Sequence, residues 1–177
     1  MKYLRRIVIA FLVWTIGGVL LFRFVPVPFT PMMLRYCAGE LIDGRMPSLR
    51  HDWVSLEEID PNLKYAVIAS EDQRFYEHNG FDFKAIEEAM EERRQGKRKQ
   101  GASTITQQTA KNVFTFGTST WLRKGIEAYY TVLIELFWSK ERILEVYLNS
   151  IEMGPGIYGA EAVAQEHFNC AASELTR

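Results

Sequence analysis

The sequence predicts a mainly α-helical domain that follows a single N-terminal transmembrane helix. Two observations carry this prediction: residues 7–22 form an apolar run without a charge, and helix caps followed by apolar residues at helical spacing recur through the rest of the chain. No stretch shows the sustained alternation of apolar and polar residues that is typical of strands. The chain has 177 residues, 47% of them hydrophobic and 24% charged, which matches one folded domain and not a disordered protein.

The apolar run predicts an uncleaved membrane anchor over residues 7–25. Its charge-free part approaches the roughly 20 residues that cross a bilayer, and Arg23 follows where a long side chain can reach the headgroups. A core helix is rarely apolar on every side. A signal peptide would need a small-x-small cleavage site after the run, and residues 22–28 contain none. Because basic residues precede the run, residues 1–6 are expected in the cytoplasm and the bulk of the chain outside the cytoplasmic membrane.

The segment after the anchor is expected to be stiff and non-helical. Pro26, Pro28 and Pro31 lie close together and disfavour a helix, so residues 26–50 are assigned to a juxtamembrane segment. The folded domain is then expected over residues 51–177.

Helix-start signals divide this domain. Ser55 and Glu58 form a capping box, Asp60 precedes a proline at a first helical position, and Asp82 caps a second helix. The predicted buried faces carry Leu63, Val67 and Ile68 in the first helix and Phe83, Ile86, Ala89 and Met90 in the second. Further helices are predicted at residues 104–113, 121–138, 140–149 and 158–168, with the basic residues 93–99 as a loop.

Charge and residue types exclude several functions. The formal net charge of −1 argues against nucleic-acid binding, which usually needs a strongly basic face. Cys37 and Cys170 are too few for a disulfide framework or a cysteine-based zinc site; one pair or two free thiols both remain open. The histidines form no H-x-x-x-H pair, so a zinc hydrolase is unsupported. Residues 154–159 match G-x-G-x-x-G but follow a helix, which excludes a dinucleotide site.

Two polar clusters are candidates for chemistry. Residues 71–80 follow an apolar helix directly, which positions their side chains at a helix end; a solvated terminus with an Asn-Gly turn has the same pattern. In residues 101–112, Thr104, Gln108 and Lys111 share one helical face of donors that ends in a cation. The nearby helix N-terminus suits phosphate, although an ordinary solvent-facing surface is the alternative.

A third cluster consists of Arg123, Lys124 and Glu127. Arg123 and Glu127 are one helical turn apart, so a surface salt bridge is the simplest interpretation. This spacing is a weak signal when it is taken alone.

In this order, the clusters resemble the peptidoglycan glycosyltransferases, glycosyltransferase family 51, and most of all their monofunctional membrane-anchored type. The matching stretches are EDQRFYEHNG (71–80), GASTITQQTAKN (101–112), RKGIE (123–127), KERILEVYLN (140–149) and, more weakly, GIYGAEAVAQEHF (156–168). The resemblance implies a lysozyme-like helical fold on the periplasmic side of the bacterial inner membrane. It also implies an enzyme that joins lipid II units into glycan strands through β-1,4 bonds with inversion, releasing undecaprenyl pyrophosphate.

The resemblance assigns roles to residues as well. Glu71 is the catalytic base for the acceptor 4-hydroxyl, because a sugar hydroxyl is a poor nucleophile. Glu127 is the second catalytic glutamate, which orients cations or helps to hold a divalent ion, Mg²⁺ or Mn²⁺, near the pyrophosphate. No organic cofactor is expected. The expected pyrophosphate-binding cations are Lys111, Arg123 and Lys124, and the expected donors are Ser103, Thr104, Gln108 and Asn112. The residues expected to shape the first motif around the base are Asp72, Phe75 and His78.

The expected partners are lipid II, the growing glycan strand, the membrane and other cell-wall synthesis and division proteins. The sequence departs from the resemblance at residues 117–120, which lack a basic residue that some members carry. It also ends soon after the last motif, so the domain at residues 51–177 is expected to be shortened at its C-terminus. Two other functions compete: a lysozyme-like glycan hydrolase, which needs a general acid, and an inactive membrane-anchored partner of the wall synthases.

Overall fold

The computed structural model describes residues 1–96, 101–117 and 120–175. Across these residues the chain is mainly α-helical, as the sequence predicts. The α-helices are α1 (Lys2–Phe22), α2 (Pro31–Ile42), α3 (Pro61–Glu71), α4 (Phe83–Arg94), α5 (Ile105–Phe114), α6 (Trp121–Phe137), α7 (Lys140–Ser150) and α8 (Ala160–Val163). Short 3-10 turns span Leu56–Glu58 and Ala172–Glu174, and a π-helical turn spans Ala164–Phe168.

Side-chain caps begin the helices at the predicted residues. Asp60 accepts a hydrogen bond from Asn62 N at 2.7 Å, and Asp82 accepts one from Ala85 N at 2.9 Å. Thr104 begins α5 through a capping box with Gln107, at the start of the helix predicted from residue 104. Each cap pairs amides that the first turn of a helix leaves without an intrahelical partner, which explains why local sequence was sufficient to find them.

The structure corrects the prediction for the juxtamembrane segment. Pro31 does not extend a non-helical stretch; it is the first residue of α2, and the side chain of Thr30 caps that helix. Proline is compatible with this position because its missing N–H would have no intrahelical partner there. α1 begins at Lys2, before the predicted anchor, and ends at Phe22, three residues before the end of that anchor.

The predicted buried face of α4 is wrong at two positions. Phe83 is 75% exposed and Met90 is 58% exposed, whereas the other two predicted residues are half-buried. Helical spacing shows which residues share a face, but it does not show whether another element covers that face. Of the predicted loop at 93–99, the first two residues belong to α4, and residues 97–99 lie outside the described part of the chain.

The sequence did not predict the small sheet formed by β1 (Arg50–His51), β2 (Glu152–Gly154) and β3 (Ile157–Tyr158). β3 lies in the middle, parallel to β1 and antiparallel to β2. Strands of this length are too short to show alternation. The glycine run at residues 154–159 begins in β2 and ends before α8, so it does not follow α7 directly, contrary to the expectation from the sequence.

The core lies where α5, α6 and α7 pack together. Ile105, Ile134, Ile143 and Leu148 are fully buried there. Burial of each such side chain stabilises the fold by about 1.5–3 kcal/mol, so these three helices form the rigid unit that positions the polar clusters.

α1 is long and apolar enough to cross a membrane, by length and composition. Its first ten residues are exposed, and its buried residues, Thr15 and Val19, lie in the second half. This half packs against α6, so the C-terminal part of α1 rests on the domain.

Gly159 is a position where the backbone requires glycine. Its φ is +91°, and a Cβ would lie 2.8 Å from Asn149 O, a backbone atom that cannot swing away. We expect Gly159→Ala to lower the free energy of unfolding by about 2 kcal/mol or more, since strained backbone alone costs about 1–3 kcal/mol. Circular dichroism in detergent should then show a melting temperature lower by roughly 4–8 °C.

The matched control for this substitution is Gly39→Ala. Gly39 lies inside α2 with open space at its Cβ position, so alanine should leave the melting temperature unchanged or raise it. Equal losses in the two variants would contradict the strain at Gly159.

Candidate active site

Glu71 lies at the C-terminal end of α3 with an exposed side chain. Its Oε2 accepts a hydrogen bond at 2.8 Å from Nε2 of Gln108 on α5. The residue borders a cavity of about 340 Å³, whose walls come from the end of α3, from α4 and from residues 101–104. A carboxylate oriented by an amide donor and open to a cavity can take a proton from a bound hydroxyl.

Asp72 fixes the backbone directly after Glu71. Its side chain is only 2% exposed; Oδ1 lies 2.9 Å from His78 Nε2, and Oδ2 accepts a hydrogen bond from Ile105 N at 3.0 Å. Because an ionised carboxylate only accepts, the hydrogen bond places the proton on His78 Nε2. The bond to Ile105 satisfies a free amide at the N-terminus of α5, where negative charge is favoured. Asp72 thereby joins the end of α3 to the start of α5.

The first cluster, residues 71–80, also contacts Lys140, the first residue of α7. Phe75 is fully buried, and the Lys140 ammonium lies 4.6 Å from the centroid of its ring. Lys140 Nζ also donates to His78 O at 2.7 Å and to Glu135 Oε1 at 2.8 Å. One lysine therefore connects the first cluster to both α6 and α7.

Gly80 packs this cluster against α5 and α6. Its carbonyl oxygen accepts a hydrogen bond from Thr104 Oγ1 at 2.6 Å. Its φ is +86°, and a Cβ would lie 2.7 Å from Thr131 Cγ2 on α6. Thr131 donates to Glu127 O, one turn earlier in the same helix. The first cluster thus lies beside the part of α6 that carries the third cluster.

α5 carries Gln108 and, three residues later, Lys111. Gln108 donates to Glu71, and the Tyr147 hydroxyl lies 3.4 Å from Gln108 Oε1, which is long for a hydrogen bond. The hydroxyl is the donor of this contact, because an amide oxygen only accepts; burial raises the pKa of Tyr147. Lys111 is half-buried, and its ammonium has no partner among the residues that the structure describes.

The first turns of α6 bring Arg123, Lys124 and Glu127 together. Thr120 caps the helix by accepting a hydrogen bond from Arg123 N at 3.2 Å. Glu127 is 2% exposed, and Arg123 binds its Oε2 while Lys124 binds its Oε1. The interpretation of a surface salt bridge is therefore wrong. Lys124 keeps 44% of its side chain exposed, so the buried carboxylate holds a cation that still reaches solvent.

The residues that the structure describes do not form a ready metal site. Glu127, which the resemblance offers to a divalent ion, already binds two cations. Asp72, His78 and Asp82 each bring a ligand atom within 4.8 Å of the others. Arg74, however, binds both oxygens of Asp82, at 2.8 and 3.1 Å, and its hydrogen bonds lower the pKa of that carboxyl. A metal ion at either place would have to break these ion pairs.

Most of the predicted site residues fall into two groups, one joined by hydrogen bonds and one by ion pairs. The group joined by hydrogen bonds contains Glu71, Asp72, His78, Thr104 and Gln108. The group joined by ion pairs contains Arg123, Lys124 and Glu127. Ser103 is exposed at the cavity wall, whereas Phe75 and Asn112 are buried.

Three supporting residues were not among the predicted site residues. Lys140 and Tyr147 belong to the stretch at 140–149, so their pattern was visible in the sequence. Glu135 was not selected because nothing local shows that it is paired. The one sequence feature that could have indicated its role is that it is an acid among apolar residues near the end of α6. In the structure Glu135 accepts hydrogen bonds from Thr106 at 2.6 Å and from Lys140.

Comparison with known proteins identifies one family. A match to the family described as Transglycosylase covers residues 39–177. The biosynthetic peptidoglycan transglycosylase of Bacteroides thetaiotaomicron is 57% identical over 176 residues, which is 99% of this chain and 71% of that protein. The protein of the same name from Bdellovibrio bacteriovorus is 54% identical over 174 residues, which is 98% of this chain and 70% of that protein. The one from Pseudomonas aeruginosa is 46% identical over 181 residues, which is 100% of this chain and 78% of that protein. The order of the motifs and these matches agree: the chain belongs to the transglycosylase family.

Proposed function

We propose that the chain polymerises the glycan strands of peptidoglycan during cell-wall synthesis. It transfers the lipid-linked growing strand onto the 4-hydroxyl of lipid II, forms a β-1,4 bond with inversion and releases undecaprenyl pyrophosphate. The observation that supports this most is the combination of an exposed carboxylate at a cavity, Glu71, with two cations that a buried Glu127 holds. Transfer from a pyrophosphate to a hydroxyl needs these two parts, a base and a set of cations.

Glu71 acts as the base in this proposal. As the acceptor O4 attacks C1 of the donor sugar, its proton passes to the Glu71 carboxylate. The O4–C1 bond forms on the face opposite the leaving group, which gives inversion. Gln108 holds Oε2 of Glu71 and leaves Oε1 for the hydroxyl, while Asp72 fixes the adjoining backbone.

The cations receive the leaving group. The bond from C1 to the pyrophosphate oxygen breaks as its electron pair moves onto the phosphate, and this leaving group needs no acid. Arg123 and Lys124 neutralise the new charge, with Lys111 from α5 and the exposed Ser103 as further contacts. Because Glu127 already orients the two cations, they need little reorganisation during the reaction.

The contacts favour transfer over the two competing functions. A glycosidase must give a proton to a glycosidic oxygen and usually has a second carboxylate beside it. Glu127 is poorly suited to that role because both of its oxygens bind cations, and a hydrolase would have no use for those cations. An inactive partner would not need the ordered contact between Gln108 and Glu71.

We further propose that α1 crosses the inner membrane once, with the domain at residues 51–177 on the periplasmic side. Basic residues before the apolar run support a cytoplasmic N-terminus. The start of α6 supports a membrane-facing site, because Trp121 and Leu122 are 94% and 75% exposed directly before Arg123 and Lys124. Exposed apolar surface of this kind marks a membrane or a partner, and a lipid-linked substrate would meet the cations there. Other wall-synthesis and division proteins stay predicted partners.

Loss of the base should stop polymerisation. We expect Glu71→Gln to lower the rate by about 10²–10⁴-fold, the usual contribution of a general base, because the amide cannot accept the proton of the hydroxyl. The measurement is polymerisation of fluorescent lipid II by the detergent-solubilised chain. Glu77→Gln is the matched control, since Glu77 is exposed in the same segment, and it should keep the full rate. A Glu71→Gln variant that polymerises normally would remove Glu71 from the mechanism.

Loss of the buried negative charge of Glu127 should disorder the side chains of Arg123 and Lys124. We expect Glu127→Gln to lower kcat by roughly 10–100-fold, less than the loss of a base, since the cations remain but lose their common anchor. Glu91→Gln provides the control, because Glu91 is exposed and contacts only its own helix end among the described residues, Arg94 at 3.8 Å and Gln95 Nε2 at 2.9 Å. An unchanged kcat for Glu127→Gln in the same assay would show that the ion pairs do not serve the reaction.

A further inference from the structure

Arg142 joins α7 to the end of α1. Its Nε and Nη2 donate to Phe22 O at 3.0 and 2.8 Å, and Nη2 also donates to Val25 O at 2.6 Å. Its Nη1 binds Glu145 at 2.6 Å, and its guanidinium lies over the ring of Trp53, 5.2 Å from the centroid. The Arg142 side chain is 13% exposed, so this cluster is largely withdrawn from solvent.

The chemistry of this contact fits a helix end. Phe22 is the last residue of α1, and the last carbonyl groups of a helix have no intrahelical partner. A cation at this end is favoured by the helix dipole, and the planar guanidinium can contact two carbonyl groups at once, which a lysine ammonium does less well. Arg142 therefore caps the anchor from within the domain.

Other contacts hold the same half of α1. Trp138 Nε1 donates to Val19 O at 2.7 Å, and the Thr15 and Tyr129 hydroxyls lie 2.8 Å apart. The ring of Phe22 packs on α5, the helix that carries Gln108 and Lys111. Tryptophan and tyrosine are enriched at membrane interfaces, which suits a junction between an anchor and a domain at the membrane surface.

We propose that Arg142 is a positioning residue that fixes the angle and depth at which the domain leaves the anchor. The inference rests on the proposed function, because a lipid-linked substrate presents its pyrophosphate at one height above the bilayer. α7 carries Arg142 at the junction and Lys140 against the first cluster, so one helix contacts both the end of the anchor and the segment that follows the proposed base. Without the cap, the anchor would still tether the domain, but it would no longer orient the domain towards the substrate.

The experiment compares polymerisation in lipid bilayers with polymerisation in detergent micelles. In micelles no bilayer surface fixes the height of the substrate relative to the anchor. We expect Arg142→Met to lower kcat/KM at least about tenfold in bilayers and less than about threefold in micelles, since misplacement of a site by about 1 Å can cost about 10²-fold. Arg142→Lys should recover part of the loss in bilayers. Arg50→Met is the control, because Arg50 is exposed and its contact with Glu166 measures 3.8 Å; it should change neither rate. Equal losses in both media, or no loss in either, would overturn the proposal.

Hydrogen exchange tests the cap without reference to activity. The amides of Arg23 and Val25 bond to Val19 O and Leu21 O at 3.1 Å, so they report whether the end of α1 is held. In Arg142→Met these amides should exchange faster while those of α5 keep their protection. Unchanged exchange at residues 23–25 would contradict the cap. If the unchanged chain makes no polymer in either medium, the proposed function fails, and the exchange rates still decide the role of Arg142.

Discussion

The buried carboxylate of Asp72 connects the parts of the chain on which the site depends. It follows the proposed base, contacts His78 at the other end of the first cluster, and occupies the N-terminus of α5. Through α5, the same contact sets the position of Gln108, which holds Glu71. A buried charge is expensive unless its hydrogen bonds are complete, so the geometry of three segments must be correct together for Asp72 to be stable.

A second buried carboxylate organises the other side of the site. Glu127 draws Arg123 and Lys124 into one cluster at the start of α6, and Thr131 links the next turn to Gly80 of the first cluster. The two sides therefore meet through the packing of α5 and α6 and not through a flexible loop. This arrangement separates the proposed proton acceptor from the proposed pyrophosphate contacts while it holds both on rigid helices.

The sequence predicted what depends on local contacts. Caps such as Asp60 and Asp82 use residues within one turn, so the helix starts were found, and the ordered motifs led to the family. Features set by distant packing were not found: the burial of Glu127, the exposed face of α4 and the strands of two or three residues. Pro31 shows a further limit, since the same residue breaks a helix in its interior and begins one at its first position. The roles of the individual site residues stay predictions.

In the proposed function, the chain transfers a glycan from a pyrophosphate to a hydroxyl and does not cleave finished strands. The most direct measurement follows lipid II labelled in both its lipid and its sugar, together with finished peptidoglycan, in the presence of the chain in bilayers. The proposed chemistry predicts that each new β-1,4 bond is accompanied by one released undecaprenyl pyrophosphate and that no soluble muropeptides appear. Soluble muropeptides released from finished peptidoglycan, without any release of the lipid pyrophosphate, would contradict it.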